Sequence, residues 1–332
     1  MISAICGLAL VVHSGGLMTA HATVAGTLNA RLEIGLGYHS HPDPESAVAR
    51  AAAVAESRLG GVSPDMALVL TVGAQGTDVV SSVRRALGPI DIAGGDVPAL
   101  LTDHGPMKEG ALVVCVANAE GAASGVAAMS GRNLADAGQA AARLILAGWP
   151  FRARYPRGLG LAFARPSGED NALTFLDAWR GFMGPKMRTV CSVLDSGVVY
   201  GNSNSSRALV SVASLEASYA TGLGYHDGSD AEGGPASPDA LIRGAADATL
   251  TALKRLDGRP ARLVLVIESA ARHRALGAAA QDEWATMRAQ MEDRTPCVGW
   301  LCRQVAGFGR GVQPTPASDA LIVLALGDSP RS

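Results

Sequence analysis

Aromatic residues make up only 4% of this 332-residue chain. So few rings offer no platform on which bases could stack. Net charge is −2, from 28 Lys and Arg against 30 Asp and Glu scattered along the chain, so there is no basic surface to follow a phosphate backbone. Nucleic acid and membrane surfaces are therefore set aside as partners. Cysteine is scarce as well: Cys6, Cys115, Cys191, Cys297 and Cys302 are odd in number, widely spread and form no CxxC pair. They read as reduced thiols of a cytoplasmic protein. Long apolar runs are missing too. The segment "ISAICGLALVV" at Ile2 to Val12, followed by "AHA" at Ala20 to Ala22, loosely mimics a signal peptide, but no Lys or Arg precedes it. At eleven residues it is too short to span a bilayer. The alternative is an upstream start codon, with the folded protein beginning near Met18.

Motifs with a ready chemical meaning are also absent. There is no GxSxG elbow, no GxGxxG and no P-loop lysine. What is present is 48% apolar content, 40 glycines and a repeat. The pentapeptide "GLGYH" occurs at Gly35 to His39 and again at Gly222 to His226. A gapless alignment of Leu112–Gly131 with Leu209–Gly228 places a degraded third copy at Gly125 to Met129. The three copies lie 90 and 97 residues apart.

Each interval follows one plan. After the first copy, Asp43 caps a helix from Pro44 to about Leu59 with Val48, Ala52, Ala55 and Leu59 on one face. A buried-type strand at Met66–Val72, a helix from Asp78 to Gly88 and a strand at Gly110–Val116 follow. The second interval predicts helices at Leu134–Ala147 and Glu169–Phe182 and strands at Leu159–Ala164, Arg188–Leu194 and Ala208–Leu215. The third predicts helices at Pro238–Leu256 and Leu276–Met291 and strands at Arg262–Ile267, Pro296–Cys302 and Ala320–Leu326. The fold class is therefore α/β (α+β): internally repeated mixed sheets covered by helices, about three similar strand-helix units in two halves. The last two strands of each unit, joined by Gly-rich turns, are expected to pair antiparallel.

The strings "RLVLVIESAARHRALG" and "TPCVGWLCRQVAGFGRGVQPTPASDALIVLALG" resemble the carboxy-terminal half of the FIST domain family. "DMALVLTVGAQGTDVVSSVRRALGPIDIAGGD" and "SVLDSGVVYGNSNSSRALVSVASL" are similar to its amino-terminal half. The resemblance divides the chain into an extension at 1–24, a FIST N-like part at 25–217, a FIST C-like part at 218–327 and a tail at 328–332. It implies an intracellular, non-catalytic sensory module for signal transduction. Such a module binds a small molecule, an amino acid or other small carboxylate, and signals to a separate histidine kinase or cyclase output protein. Some relatives sense nitric oxide through haem. The chain departs from the family at Gln304 and Val305, where Gly-Glu is favoured, and at Asp319 and Ala320, where Asn and Thr are; Ser269 replaces a Cys while Arg272 is kept. Ligand specificity is therefore not carried over.

Candidate ligand contacts are placed at strand ends, where sheets of this class open onto their ligands. They are Gln75, Gly76 and Thr77 as backbone anion contacts, Gly94, Gly95 and Asp96, then Asn202, Asn204, Arg272, Gly299 and Arg303. The Arg272 guanidinium is suited to a ligand carboxylate, or else pairs with Glu268 on the surface. Cys297 and Cys302, five apart, face opposite sides of their strand and do not share a metal. His39, His41 and His226 are the alternative haem ligands; the main reading has no cofactor and no metal. A further alternative is a small-molecule hydrolase or lyase using Cys302 or Asp96.

Overall fold

The computed structural model describes residues 32–74, 77–117, 123–149, 158–168, 171–202, 208–216, 219–229, 234, 236–309 and 319–328. The signal-like segment therefore lies outside the described residues. Three units follow one another. The first holds β1 (Glu33–His39), α1 (Pro44–Ser57), β2 (Met66–Val72), α2 (Val79–Leu87), β3 (Asp91–Asp96), the short β4 (Leu100–Thr102) and β5 (Gly105–Met107), and β6 (Gly110–Ala117). The second holds β7 (Ala123–Met129), α3 (Leu134–Gly148), β8 (Gly158–Ala164), α4 (Ala172–Met183), β9 (Met187–Val193), β10 (Val199–Tyr200) and β11 (Val210–Glu216). The third holds β12 (Thr221–His226), α5 (Pro238–Lys254), β13 (Ala261–Ser269), α6 (Ala270–Leu276), α7 (Ala280–Arg288), β14 (Cys297–Cys302), β15 (Gln304–Phe308) and β16 (Leu321–Gly327). The class inferred from the sequence, repeated mixed sheets under helices, is the class observed.

The sheet orders are β1-β6-β2-β3-β10, β7-β11-β8-β9-β15 and β12-β16-β13-β14-β4-β5. In each, the second and third strands of the unit run parallel and the other neighbours antiparallel. The expected pairing of the last two strands is corrected: β6, β11 and β16 lie between the first and second strands of their units. These strands are apolar on both faces, as the fully buried β6 and β16 show, and a central place in the sheet is what covers both.

The order ends in each case with a strand borrowed from another unit. β4 and β5 of the first unit extend the third sheet, β10 of the second extends the first, and β15 of the third extends the second. The exchange is cyclic and ties the units together through backbone hydrogen bonds. The inner faces of the three sheets meet in one apolar core that includes Leu36, Leu70, Phe163, Ile267 and Trp300. Each outer face carries its own helices over a separate core. The indole of Trp300 donates to Ser192 Oγ at 3.2 Å, so its burial leaves no orphaned donor.

The repeated pentapeptide begins each unit because it lets a helix lie against the sheet. A Cβ on Gly35 or Gly37 would overlap the carbonyl oxygens of Ala55 and Ala51 of α1, and one on Gly222 or Gly224 those of Ala252 and Ala248 of α5. In the degraded copy Ala127 stands at the position of Gly37, by the register of β7 with β11 and β1 with β6. There the first glycine, Gly125, faces side chains, Trp149 Nε1 at 3.3 Å and Ile145 at 3.5 Å, instead of a backbone. Helix starts are set by side-chain caps from Asp43, Asp78, Asn133, Asn171, Ser237 and Ser269. The expected helix at Leu276–Met291 starts earlier, at Ala270, and is broken at Gly277, whose φ of +55° is open to glycine without strain.

Candidate functional site

The exchanged β4–β5 hairpin does not close completely on the third unit. Between its turn and α6–α7 lies a cavity of about 280 Å³. Leu101, Thr102, Asp103, His104 and Pro106 line it from the hairpin side, and His273, Glu283, Trp284 and Met287 from the helical side. At the two other exchange joints side chains bridge to the neighbouring unit. Asn202 accepts from Ile92 N at 2.8 Å and donates to Asp91 at 2.7 Å beside β10. Gln304 of β15 accepts from Ala172 N at 3.1 Å, and Arg180 stacks over the Phe308 ring at 4.4 Å. The third joint differs in that titratable groups collect around its cavity.

Those groups come from the end of β13 and the helices that follow it. Glu268 is buried at the last turn of the strand, its side chain 3% exposed, and its Oε1 lies 3.4 Å from His273 Nδ1. Both atoms are shielded from solvent and neither has a hydrogen-bond partner. Since Nδ1 is turned inward, Nε2 is the ring nitrogen available to the cavity. The Glu268 carboxylate holds the His273 imidazole above its ordinary pKa, outweighing burial. Glu283, also in the wall, is raised well above the usual carboxylate range, first by burial and then by the charge of Glu268.

Arg272 holds this corner together. It is fully buried, and its five N–H donors make five hydrogen bonds to four acceptor atoms. Nε and Nη2 donate to Glu283 Oε1 at 2.9 and 2.7 Å, Nη2 to Leu241 O at 2.6 Å, and Nη1 to His226 Nδ1 at 3.0 Å and Asp319 O at 3.2 Å. His226 Nδ1 also accepts from Gly228 N at 3.1 Å, so the ring is held as a neutral acceptor. Burial and the charge of Arg272 depress its pKa. The expected carboxylate clamp at Arg272 is therefore corrected: no donor is left for a ligand. Its ion-pair partner is Glu283, not Glu268, and the site is interior, not surface.

The other residues singled out from the sequence are dispersed. Gln75, Gly76 and Asn204 lie outside the described residues. Thr77 forms part of the turn into α2, its N–H bonded to Ala74 O at 3.1 Å. Asp96 is buried and accepts from Thr71 Oγ1 at 2.9 Å and Ala74 N at 3.0 Å, and Thr71 Oγ1 is 2.6 Å from the Tyr200 hydroxyl. That network fastens β10 onto β3, with burial raising the Asp96 carboxyl and the Tyr200 phenol. Gly94 and Gly299 face the carbonyls of Val69 and Val266, and Gly95 faces Leu194; each is a packing glycine. Asn202 bridges an exchange joint through Ile92 and Asp91, and Arg303 is an exposed residue whose N–H bonds Val193 O at 2.9 Å.

The histidines named as haem ligands are separated. His39 and His41 stack on each other with centroids 6.1 Å apart, His41 Nδ1 accepts from Asp43 N, and His226 belongs to another sheet. Cys297 faces the helical side of its sheet and Cys302 the inner core, as their spacing predicts. Cys302 is fully buried and burial pushes its thiol well above the ordinary value, the wrong direction for a nucleophile. The alternative hydrolase site at Cys302 or Asp96 is thus corrected on geometry. Sequence reasoning missed His273, Glu283, Trp284, Asp103 and His104. The signal was thin: an unusual Glu at the end of an apolar strand, five residues before a His.

No protein-family model matches the chain, and no curated protein does. Solved structures do. A cyanuric acid hydrolase from A. caulinodans is 12% identical, with a TM-score of 0.48 over 89% of this chain and 99% of that one. A second cyanuric acid hydrolase, described as an evolutionary innovation by structural concatenation, is 9% identical with a TM-score of 0.40 over 90% and 100%. PurL of T. maritima, complexed with FGAR, is 10% identical with a TM-score of 0.30 over 93% and 75%. The non-enzymatic sensory and signalling function expected from the FIST resemblance is corrected here, because the solved structures similar to the chain include hydrolases and no sensory domain is among those named. At such identities the likeness concerns the arrangement of elements, and any activity has to come from this chain's own residues. Among the described residues no helix is long and apolar enough to cross a membrane.

Proposed function

We propose that the protein is a small-molecule hydrolase that activates water by general acid–base catalysis in the cavity between the β4–β5 hairpin and α6–α7. The observation that carries this reading is the Glu268–His273 pair at the cavity wall, with Oε1 and Nδ1 3.4 Å apart. A carboxylate behind Nδ1 favours the tautomer with its proton there and leaves Nε2 as the base. Water held at Nε2 gives up a proton as its oxygen attacks a carbonyl carbon, and the imidazolium returns that proton to the leaving nitrogen or oxygen as the bond to carbon breaks. Water is the nucleophile because the one hydroxyl among the described lining residues is engaged: Thr102 Oγ1 donates to Gly105 O at 3.0 Å and accepts from His104 N at 3.2 Å. A volume near 280 Å³ belongs to the small end of ligand pockets and suits a compact substrate.

The reading is tested by turnover of a panel of small amides and esters. Activity is expected to fall by about 10²-fold or more in His273→Gln and to survive in Cys302→Ser and Asp96→Asn. Turnover of no panel member, or turnover indifferent to His273→Gln, counts against it.

A further inference from the structure

The charges of the cavity wall share one orientation. Glu283 and Asp103 belong to the wall, while the cations that pair with them stand behind it. Arg272 is fully buried on the far side of Glu283 with every donor spent. Arg288 Nε lies 3.5 Å from Asp103 Oδ1, and its Nη1 and Nη2 turn away to the carbonyls of Thr295 and Asp293 at 2.7 and 3.3 Å. Neither Lys nor Arg lines the cavity; its basic side chains are His104 and His273, and the charge of His273 is matched by the buried Glu268 beside it. Lys108, whose charge is felt by His273, is exposed outside the lining. Leu101, Pro106, Trp284 and Met287 supply the apolar surface between the carboxylates.

We infer that the substrate is a small amide or ester carrying a cationic amine and no anionic group. The inference rests on the hydrolase reading for the reaction and on the wall for the charge. An anion entering the cavity meets the carboxylates of Glu283 and Asp103, and the guanidinium groups behind them have their donors directed elsewhere, so the anion loses hydration with little compensation. An ammonium group finds Glu283 on the helical wall and Asp103 on the hairpin wall, with Trp284 in the lining next to Glu283. Hydrolysis of such an amide adds the oxygen of water to the acyl carbon and its hydrogen to the leaving nitrogen, giving a carboxylic acid and an amine. The acid ionises to a carboxylate, which the same wall repels, so charge favours release of the acyl product.

Benzylamine, benzamide and benzoate share size and shape and differ in charge, and their binding to the full chain is read by calorimetry. Benzylamine is expected to bind roughly tenfold or more tighter than benzoate. The preference should shrink in Asp103→Asn, a change on an exposed turn that leaves the buried corner intact, and shrink again in Glu283→Gln. Benzoate binding as tightly as benzylamine, or no binding of benzylamine, overturns the inference. These binding measurements need no turnover. A protein that prefers the amine but hydrolyses nothing loses the hydrolase reading and keeps the charge selection, and one that hydrolyses only anionic amides does the reverse.

Discussion

Glu268 Oε1 and His273 Nδ1 face each other across 3.4 Å in a corner closed to solvent, and neither makes a hydrogen bond. The distance is short enough for charge attraction and too long for a well-formed N–H···O contact. On the hydrolase function proposed above, this is the arrangement of a base positioned by a carboxylate, whose contact is expected to tighten on binding, as in many apo sites.

Replacing Glu268 by Gln tests the positioning role. The carboxylate raises the His273 pKa, so its loss lowers it. A general base works in its neutral form, and the acidic limb of the kcat/KM profile should therefore move to lower pH while kcat falls by about 10-fold or more. A merely structural role predicts a loss of folded protein with the limb unmoved in what remains.

Arg272 is the second test, because its five donors are all spent inside the corner. Arg272→Ala leaves the Glu283 carboxyl buried without its partner, so that it must either stay charged or take up a proton on folding, at a cost of about 3–5 kcal/mol of folding stability. The double substitution Arg272→Met, Glu283→Leu removes both charges and is expected to recover most of that loss. Denaturant unfolding of the two variants decides the matter, and equal instability of both would show that the guanidinium works through its backbone carbonyl acceptors instead.

Much of this molecule is legible in its sequence, and the limit has a physical cause. The strings at Gly35, Gly125 and Gly222 mark true unit starts, the first and last because helix contact demands glycine there, and long apolar strands such as β6 and β16 announce themselves. The exchanged strands did not: β4, β5, β10 and β15 have 3, 3, 2 and 5 residues, too few for a period to register. The cavity depends on them, since Asp103 and His104 reach His273 and Glu283 only because β4 pairs with β14 of another unit. Arg272 illustrates the same limit. A lone Arg at a strand end reads as a ligand contact until Glu283, beyond the break at Gly277, folds back onto it.

Stability should carry the signature of Glu283. Its folded pKa is raised to about 7 from 4.5, so between those values the native state holds more proton than the unfolded chain. Stability attributable to this group is therefore present below the unfolded value and is lost as pH rises through the folded one. His226 works in the opposite sense, since its depressed pKa removes stability as pH falls below its unfolded value. The two are separated by difference: Glu283→Gln keeps an acceptor for Arg272 and should abolish only the decline between about pH 4.5 and 7. Urea midpoints of parent and variant across that range check this, and parallel curves would rule the group out as its source.

The repeated pentapeptide allows a prediction with its own control. A Cβ at Gly224 overlaps the Ala248 carbonyl oxygen, and one at Gly37 overlaps that of Ala51, so alanine at either site must push a helix off its sheet. Backbone cannot yield as a side-chain tip does, and each change should cost about 1–3 kcal/mol. In the middle unit Ala127 already occupies the corresponding place, and α3 has settled above it. Ala127→Gly should therefore gain nothing and lose about 0.5–1 kcal/mol through backbone freedom in the unfolded chain and lost contact. The displacement has a functional reading as well. Gly224 lies in the strand that ends at His226, on which Arg272 rests, so Gly224→Ala should loosen the Arg272–Glu283 corner and reduce turnover more than Gly37→Ala does at equal loss of stability. Equal losses of turnover from the two substitutions would mean that the strand and the cavity are not coupled.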